Sequence, residues 1–226
     1  LGDVYKRQES VLMGITMVIS VILALGIFMV LPFSLTNLMK GFLPSYSIRT
    51  LIEGIIRVAL FLIYIWLISK MEDIKRVFMY HGAEHKTINC LEHGEDLTPE
   101  NIKKYSRLHK RCGTSFLLIV MIISIFFFMF IHVDSRVLRL VLRLVLIPVI
   151  AGVSFEFIRL AGRSDNALIN LLSKPGLLLQ HITTKEPEDD MIEVGIASVE
   201  AVFDWKTYVE EIRQEDSREH DISGSN

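Results

Sequence analysis

Between two long apolar runs, residues 80–113 read YHGAEHKTINCLEHGEDLTPENIKKYSRLHKRCG, and this interval gathers His81, His85, His93 and His109 with both cysteines of the chain, Cys90 and Cys112. Its first part is the pattern H-x-x-E-H, from His81 through Glu84 to His85. On a helix, residues four apart share a face, so two imidazoles one turn apart can hold a cation and leave a coordination position open for water. Glu84 is placed to take a proton as that water attacks, which is the arrangement found in the inverted zinc hydrolases. The second part of the interval adds ligand types. Thr98-Pro99 is a helix-start signal, with Thr98 as N-cap and Pro99 at the first helical position. The helix expected after it carries Ile102, Tyr105, His109 and Cys112 on one face and ends at Gly113. Packed together, the two helices form a hairpin that offers His81, His85, His109 and Cys112 to one divalent metal, with Glu84 as catalytic base. Imidazole and thiolate ligands suit zinc. Cys90 and His93, at the connection, are weaker ligand candidates. Four protein ligands make a closed structural site, whereas three ligands and water make a catalytic one, and histidines on an apolar stripe are also ordinary core residues.

The elements that position this interval are membrane helices. Residues 11–31 are an uninterrupted apolar run of about the 20 residues needed to cross a bilayer, and Pro32 is expected to close it. The polar opening, residues 1–10, reads as a truncated or non-native start. The first run is too long for the apolar region of a signal peptide and is followed by no small-residue cleavage site, so it is expected to stay in the membrane. A second run covers 51–69, interrupted only by Glu53 and Arg57, which are one helical turn apart and can pair. This helix is expected to continue past Lys70, because Ile74, Phe78, His81 and His85 fall on one stripe. The third run is 116–133, a turn at Asp134-Ser135 follows, and the fourth run is 137–157. Arg136, Arg139 and Arg143 form a stripe on the fourth run, and a contact from Arg139 or Arg143 to Glu53 is expected.

These readings divide the chain into membrane helices at 11–69 and 114–158, a metal-site hairpin at 70–113, a helical region at 159–212 and a disordered tail at 213–226. Within the helical region, 165–173 reads as a short helix ended by Lys174-Pro175-Gly176, and 176–182 as an apolar patch for the bilayer surface. Ile192, Ile196, Val199 and Phe203 recur at helical spacing and predict an amphipathic helix that docks on the polar part of the molecule. Nine lysines and arginines lie between Lys70 and Arg111, against little beyond Lys40 and Arg49 in the first connector. The excess of positive charge predicts that 70–113 faces the cytoplasm, and with four spans both termini lie on that side.

Composition agrees with a membrane protein: 51% of the 226 residues are hydrophobic, the mean hydropathy is +0.42 and the net charge is −2. That charge provides no basic surface for nucleic acid. Two cysteines are too few for a disulfide framework.

The stretches YHGAEHKTINC, LTPENIKKYSRLHKRCGTSF, FEFIRLAGR and PGLLLQHITTKEPEDDMIEVGIASVEAV resemble the YqhQ-like bacterial membrane proteins, over residues 11–203. The resemblance implies a bacterial inner-membrane location, a bound metal and an enzyme activity of no specified reaction, with His81, Glu84, His85, His109 and Cys112 as the site. It also implies a further soluble segment before the first span. Glu156, in FEFIR, is a further ligand candidate by analogy with the inverted zinc hydrolases, although a pair with Arg159 is the favoured reading.

The leading functional reading is a four-span, all-α membrane hydrolase acting on a peptide or lipid-linked substrate. The competing reading is a membrane scaffold or assembly factor whose metal staples the hairpin. A transporter using Glu53, Arg57 and the arginines of the fourth run is a third. The sequence leaves the oligomeric state open.

Overall fold

A computed structural model describes residues 2–43, 45–131, 133, 135–164 and 166–224, with backbone alone at 2–7, 136, 137, 139, 140 and 215–224. All regular structure among these residues is helical: α1 (Gly2–Leu25), a π-helical turn (Gly26–Val30), α2 (Leu31–Leu38), α3 (Tyr46–Ile68), α4 (Glu72–Glu92), α5 (Pro99–Lys104), α6 (Gly113–Phe130), α7 (Arg136–Arg163), α8 (Ala167–Thr183), α9 (Asp189–Glu200) and α10 (Trp205–Gly224). Four helical stretches are long and apolar enough to cross a membrane: Gln8–Leu38, Tyr46–Ile68, Gly113–Phe130 and Val141–Arg163. Their lengths and apolar surfaces mark a membrane protein.

The chain forms two compact units, Leu1–Tyr64 with Leu118–Ser154, and Ile65–Leu117 with Phe155–Asn226. In the first unit Pro32 does not end the helix, contrary to expectation. It sits in the first turn of α2, directly after the π-helical turn, where a missing N–H costs least. The carbonyl four residues before it, that of Phe28, accepts a hydrogen bond from Arg57 Nε at 3.1 Å in place of the one that proline cannot donate. Arg57 also donates to Glu53 at 2.9 Å, and Glu53 lies 3.7 Å from Arg143. The expected link between the second and fourth apolar runs is therefore present. Arg136 and Arg139 lie outside the described side chains, and Asp134 outside the described residues.

The second unit carries the polar interval. Helix α3 ends at Ile68 rather than running on. Ser69 Oγ bonds the Trp66 carbonyl at 2.7 Å, Met71 is extended, and α4 restarts with Glu72 and Asp73 in its first turn, where acidic groups complement the helix dipole. The stripe of Phe78, His81 and His85 survives the break on α4 alone. Around α4 a core forms from Ala83, Cys90, Leu91, Leu97, Ile102, Met191, Ile192, Trp205 and Val209, with Ile196 and Val199 packed on it. Helix α9 thus docks through the face its periodicity marks.

Two glycines permit the closest approaches. A Cβ on Gly82 would stand 1.9 Å from the Lys185 carbonyl oxygen, where Lys185 N also bonds the Phe78 carbonyl at 2.8 Å. A Cβ on Gly195 would stand 2.8 Å from Thr87 Oγ1, across the contact of α9 with α4.

Three expected boundaries differ. Helix α5 stops at Lys104, so 105–112 is irregular chain rather than a helix ending at Gly113, and Gly113 instead begins α6. Helix α8 runs through Lys174-Pro175-Gly176 to Thr183. Its second half is held by tertiary contacts that outweigh the local break: Gly176 lies against Ser115, and Gln180 bonds residues 109 and 115. Asp165, where that helix is expected to begin, lies outside the described residues. The C-terminal stretch read as a tail without structure has helical backbone to Gly224, and Arg213 ties α10 to the Gly94 carbonyl at 2.9 Å and Asp96 at 3.0 Å.

Candidate metal centre

His81 and His85 are one turn apart on α4, and their rings stand 4.3 Å apart, centroid to centroid. Each is oriented by a backbone carbonyl. His81 Nδ1 is 2.8 Å from the Thr183 oxygen, at the end of α8, and His85 Nδ1 is 2.7 Å from the Arg107 oxygen, in the irregular chain after α5. A carbonyl oxygen only accepts, so in both rings Nδ1 carries the proton and a neutral ring keeps its lone pair on Nε2. This is the tautomer in which a histidine binds a metal through Nε2, with the outer bond fixing the ring plane.

Cys112 meets these lone pairs. Its Sγ is 3.3 Å from His81 Nε2 and 3.1 Å from Thr114 Oγ1. One ligand atom each from His81, His85 and Cys112 lie within 4.8 Å of one another, a spacing that could hold a metal ion. His85 and Cys112 are both buried at 3% exposure, while His81 is partly open.

The irregular chain can bring Cys112 here because side chains from two helices replace the hydrogen bonds a helix would have made. Asn89, on α4, donates to the Ser106 and Leu108 carbonyls at 2.7 and 3.1 Å. Gln180, wholly buried on α8, accepts from His109 N at 2.8 Å and donates to the His109 carbonyl at 2.8 Å and Ser115 Oγ at 2.7 Å. Arg107 donates to the Thr184 carbonyl at 2.6 Å.

Burial alone would push the Cys112 thiol up, but hydrogen bonds with His81, His85, Thr114 and the Ser115 backbone bring it down from 9.0 to about 4. His81 moves the other way: its bond to Cys112 raises it, against the effect of burial. Without a metal, the same atoms therefore form a thiolate beside a readily protonated imidazole. Cys90 contrasts with this, its thiol pushed up to about 11 by burial and by the Glu95 charge.

His109 stands beside the trio and is not drawn into it. Its ring is 5.8 Å from that of His85, but Nε2 meets Glu92 Oε2 at 3.1 Å and Nδ1 accepts from Arg111 N at 3.3 Å. The cause is the early end of α5, since the shared face expected for His109 and Cys112 needed a helix through both. Glu92 also pairs with Arg111. Burial pushes the Glu92 carboxyl up, and His109 and Arg111 together hold it below its ordinary value.

Glu84 is exposed and lines, with His81 and Thr114, an open groove of ≈ 830 Å³ between α4 and α9. Glu156 pairs with Arg159 at 2.6 Å, as the favoured sequence reading has it. Cys90 faces the carbonyls of Glu95 and Asp96, and His93 packs on Tyr105 with ring centroids 5.0 Å apart, so neither joins the trio. Sequence reasoning missed Thr114, Gln180, Asn89 and the two carbonyls. Carbonyls leave no sequence signal, but the polar Gln180 and Thr183 in an otherwise apolar helical stretch are one.

The fold and the site define an all-helical membrane protein with a His/Cys group that could hold a metal. The chain belongs to the family described as "Protein of unknown function (DUF1385)", whose model matches residues 2–205. It is similar to "Uncharacterized protein YqhQ" of Bacillus subtilis (strain 168), with 40% identity over 205 residues, 87% of this chain and 64% of the relative. The chain thus spans somewhat less than two thirds of that relative's length. No solved structure matches it.

Proposed function

We propose that this chain is a multi-pass membrane hydrolase with a zinc-type centre made by His81, His85 and Cys112 and facing the cytoplasm. The observation that supports it is the pair of carbonyl bonds, at 2.8 and 2.7 Å, that turn both Nε2 lone pairs toward the Cys112 thiolate. Three protein ligands leave one tetrahedral position, the arrangement of catalytic rather than closed structural sites. His81, His85 and Cys112 would hold the ion, and a divalent ion there would polarise a carbonyl or phosphoryl oxygen and acidify water. Glu84 takes the proton of the attacking water. The water oxygen bonds to the carbonyl carbon or phosphorus, the bond to the leaving group breaks, and the proton passes from Glu84 to the leaving oxygen or nitrogen. Peptide and lipid-linked compounds are the substrates that suit a site at the start of a membrane helix. The lysines and arginines of 70–111 favour the cytoplasmic side and the bacterial inner membrane.

A structural role for the metal has its own support, because the trio ties α4 to the irregular 105–112 segment, which has little secondary structure of its own. Glu84→Gln separates the two readings in purified protein assayed against fluorogenic acyl esters and peptides. Catalysis predicts retained metal and lost hydrolysis. Retained hydrolysis with Glu84→Gln removes Glu84 as the base, whereas no hydrolysis by the wild type while His81→Ala unfolds 70–113 supports the structural role instead.

A further inference from the structure

The groove beside the centre carries a statement about the substrate. Its walls are apolar side chains such as Val77, Ile88 and Leu91 of α4, Val194 and Val199 of α9, and Val202 just beyond. Val77, Val194 and Val202 are exposed there, although each would be favoured in a core. Two of the hydroxyls in the lining already have acceptors: Thr87 Oγ1 bonds the Ala83 carbonyl at 2.9 Å and Ser198 Oγ the Val194 carbonyl at 2.7 Å. Tyr80, a third hydroxyl in the lining, pairs with Arg76, and the remaining polar chemistry facing the groove is on the His81, Glu84 and Thr114 side. At ≈ 830 Å³ the space is of the size that holds a small-molecule ligand.

We propose that this groove holds the hydrocarbon chain of a membrane lipid, with the lipid's polar linkage at His81 and Glu84. An extended peptide fits poorly, because its N–H and C=O groups would meet walls with almost nothing to bond them, and no strand edge is present among the described residues to pair with it. A hydrocarbon chain brings no such groups. Access also favours lipid. Thr114, which lines the groove, is the second residue of α6, whose apolar length begins at Gly113. Helix α8, whose Gly176 and Gln180 pack on Ser115 of the same turn, exposes Leu168, Leu171, Leu172 and Leu178. Those leucines are apolar surface of the kind that lies in a bilayer interface. The polar end of the groove thus stands at the first turn of an apolar helix, where a lipid's polar linkage would lie. The proposal rests on the hydrolase reading only for which end of the lipid reacts.

The test is photocrosslinking of the full chain in phosphatidylglycerol vesicles that contain a phosphatidylglycerol with a diazirine in its acyl chain, with zinc content measured in the same preparations. Label should appear in 77–91 and 191–203 and be lost in Ser198→Trp, which fills the groove, and in Val194→Glu, which charges it. Both positions are exposed, and a thermal melt confirms that each variant folds. Label confined to the membrane helices, label unchanged by both variants, or label displaced by an apolar helical peptide but not by a free fatty acid overturns the proposal. Groove labelling in protein that binds no zinc supports it and removes only the hydrolytic reading.

Discussion

Cys112 shows how far a single residue is set by its neighbours. Burial opposes its ionisation, yet four hydrogen bonds reverse the outcome and hold it near 4, while Cys90, equally buried, lies near 11. In metal-free protein the ultraviolet thiolate signal of Cys112, taken as the difference from Cys112→Ala, should be present at pH 6 and disappear only as the pH falls through about 4. His81→Ala, which removes the foremost of the lowering bonds, should move that midpoint up. A midpoint near the ordinary 9.0 in both would contradict the geometry. Gln180 is the second informative residue. Its replacement by Ala leaves the His109 N–H and carbonyl without their partner in a buried place, which should cost about 1–3 kcal/mol in a denaturation experiment and weaken metal binding through Cys112. Of the trio, the two histidines were legible from H-x-x-E-H, because periodicity alone puts them on one face. Cys112 was legible as a ligand, but not the way it arrives: the helix expected to carry it stops at Lys104, and its approach depends on Asn89 and Gln180, far away in sequence.

Among the elements, α4 is the one the site depends on, and its sequence marks it clearly by the spacing of Phe78, His81 and His85. What sequence did not reveal were the ends: the break at Ser69–Met71, the stop of α5 at Lys104 and the passage of α8 through Pro175. For α5 and α8 specific tertiary partners decided the matter, Asn89 on the Ser106 carbonyl and Ser115 against Gly176, whereas at Ser69 the bond to the Trp66 carbonyl is local. Gly82 tests the α4 placement. A methyl group there must displace the Lys185 carbonyl, and with it the chain that follows the Thr183 carbonyl holding His81. Gly82→Ala should therefore destabilise the protein by about 1–3 kcal/mol and lower its metal affinity. Gly152→Ala, in α7 with nothing within 4 Å of the new methyl, should be neutral or stabilising by up to about 1 kcal/mol. Equal effects of the two substitutions would contradict the close approach. Helix α9, by contrast, was readable over Ile192, Ile196 and Val199, which had only one face to bury, although Phe203, expected on the same stripe, lies beyond its end and is exposed.

For the molecule as a whole, four apolar helical stretches and a polar interval between the second and third were plain from hydropathy, since no soluble surface can be built from such runs. Within the membrane helices, Glu53, Arg57 and Arg143 form one group, and Arg57 also reaches the carbonyl freed by Pro32. Such a group reads as a link between helices. Glu53→Gln and Arg143→Gln should each destabilise the protein, and the double variant should lose less than their sum, with a coupling of about 0.5–3 kcal/mol; strict additivity in a thermal melt would show that the contact carries no energy. That His81, His85 and Cys112 hold an ion is tested most directly by elemental analysis of the detergent-purified chain. One zinc per chain is expected, lost in His81→Ala, His85→Ala and Cys112→Ala and retained in Glu84→Gln and His109→Ala. Wild-type protein without bound metal after zinc loading and dialysis, or zinc that persists when all three residues are replaced together, would contradict it.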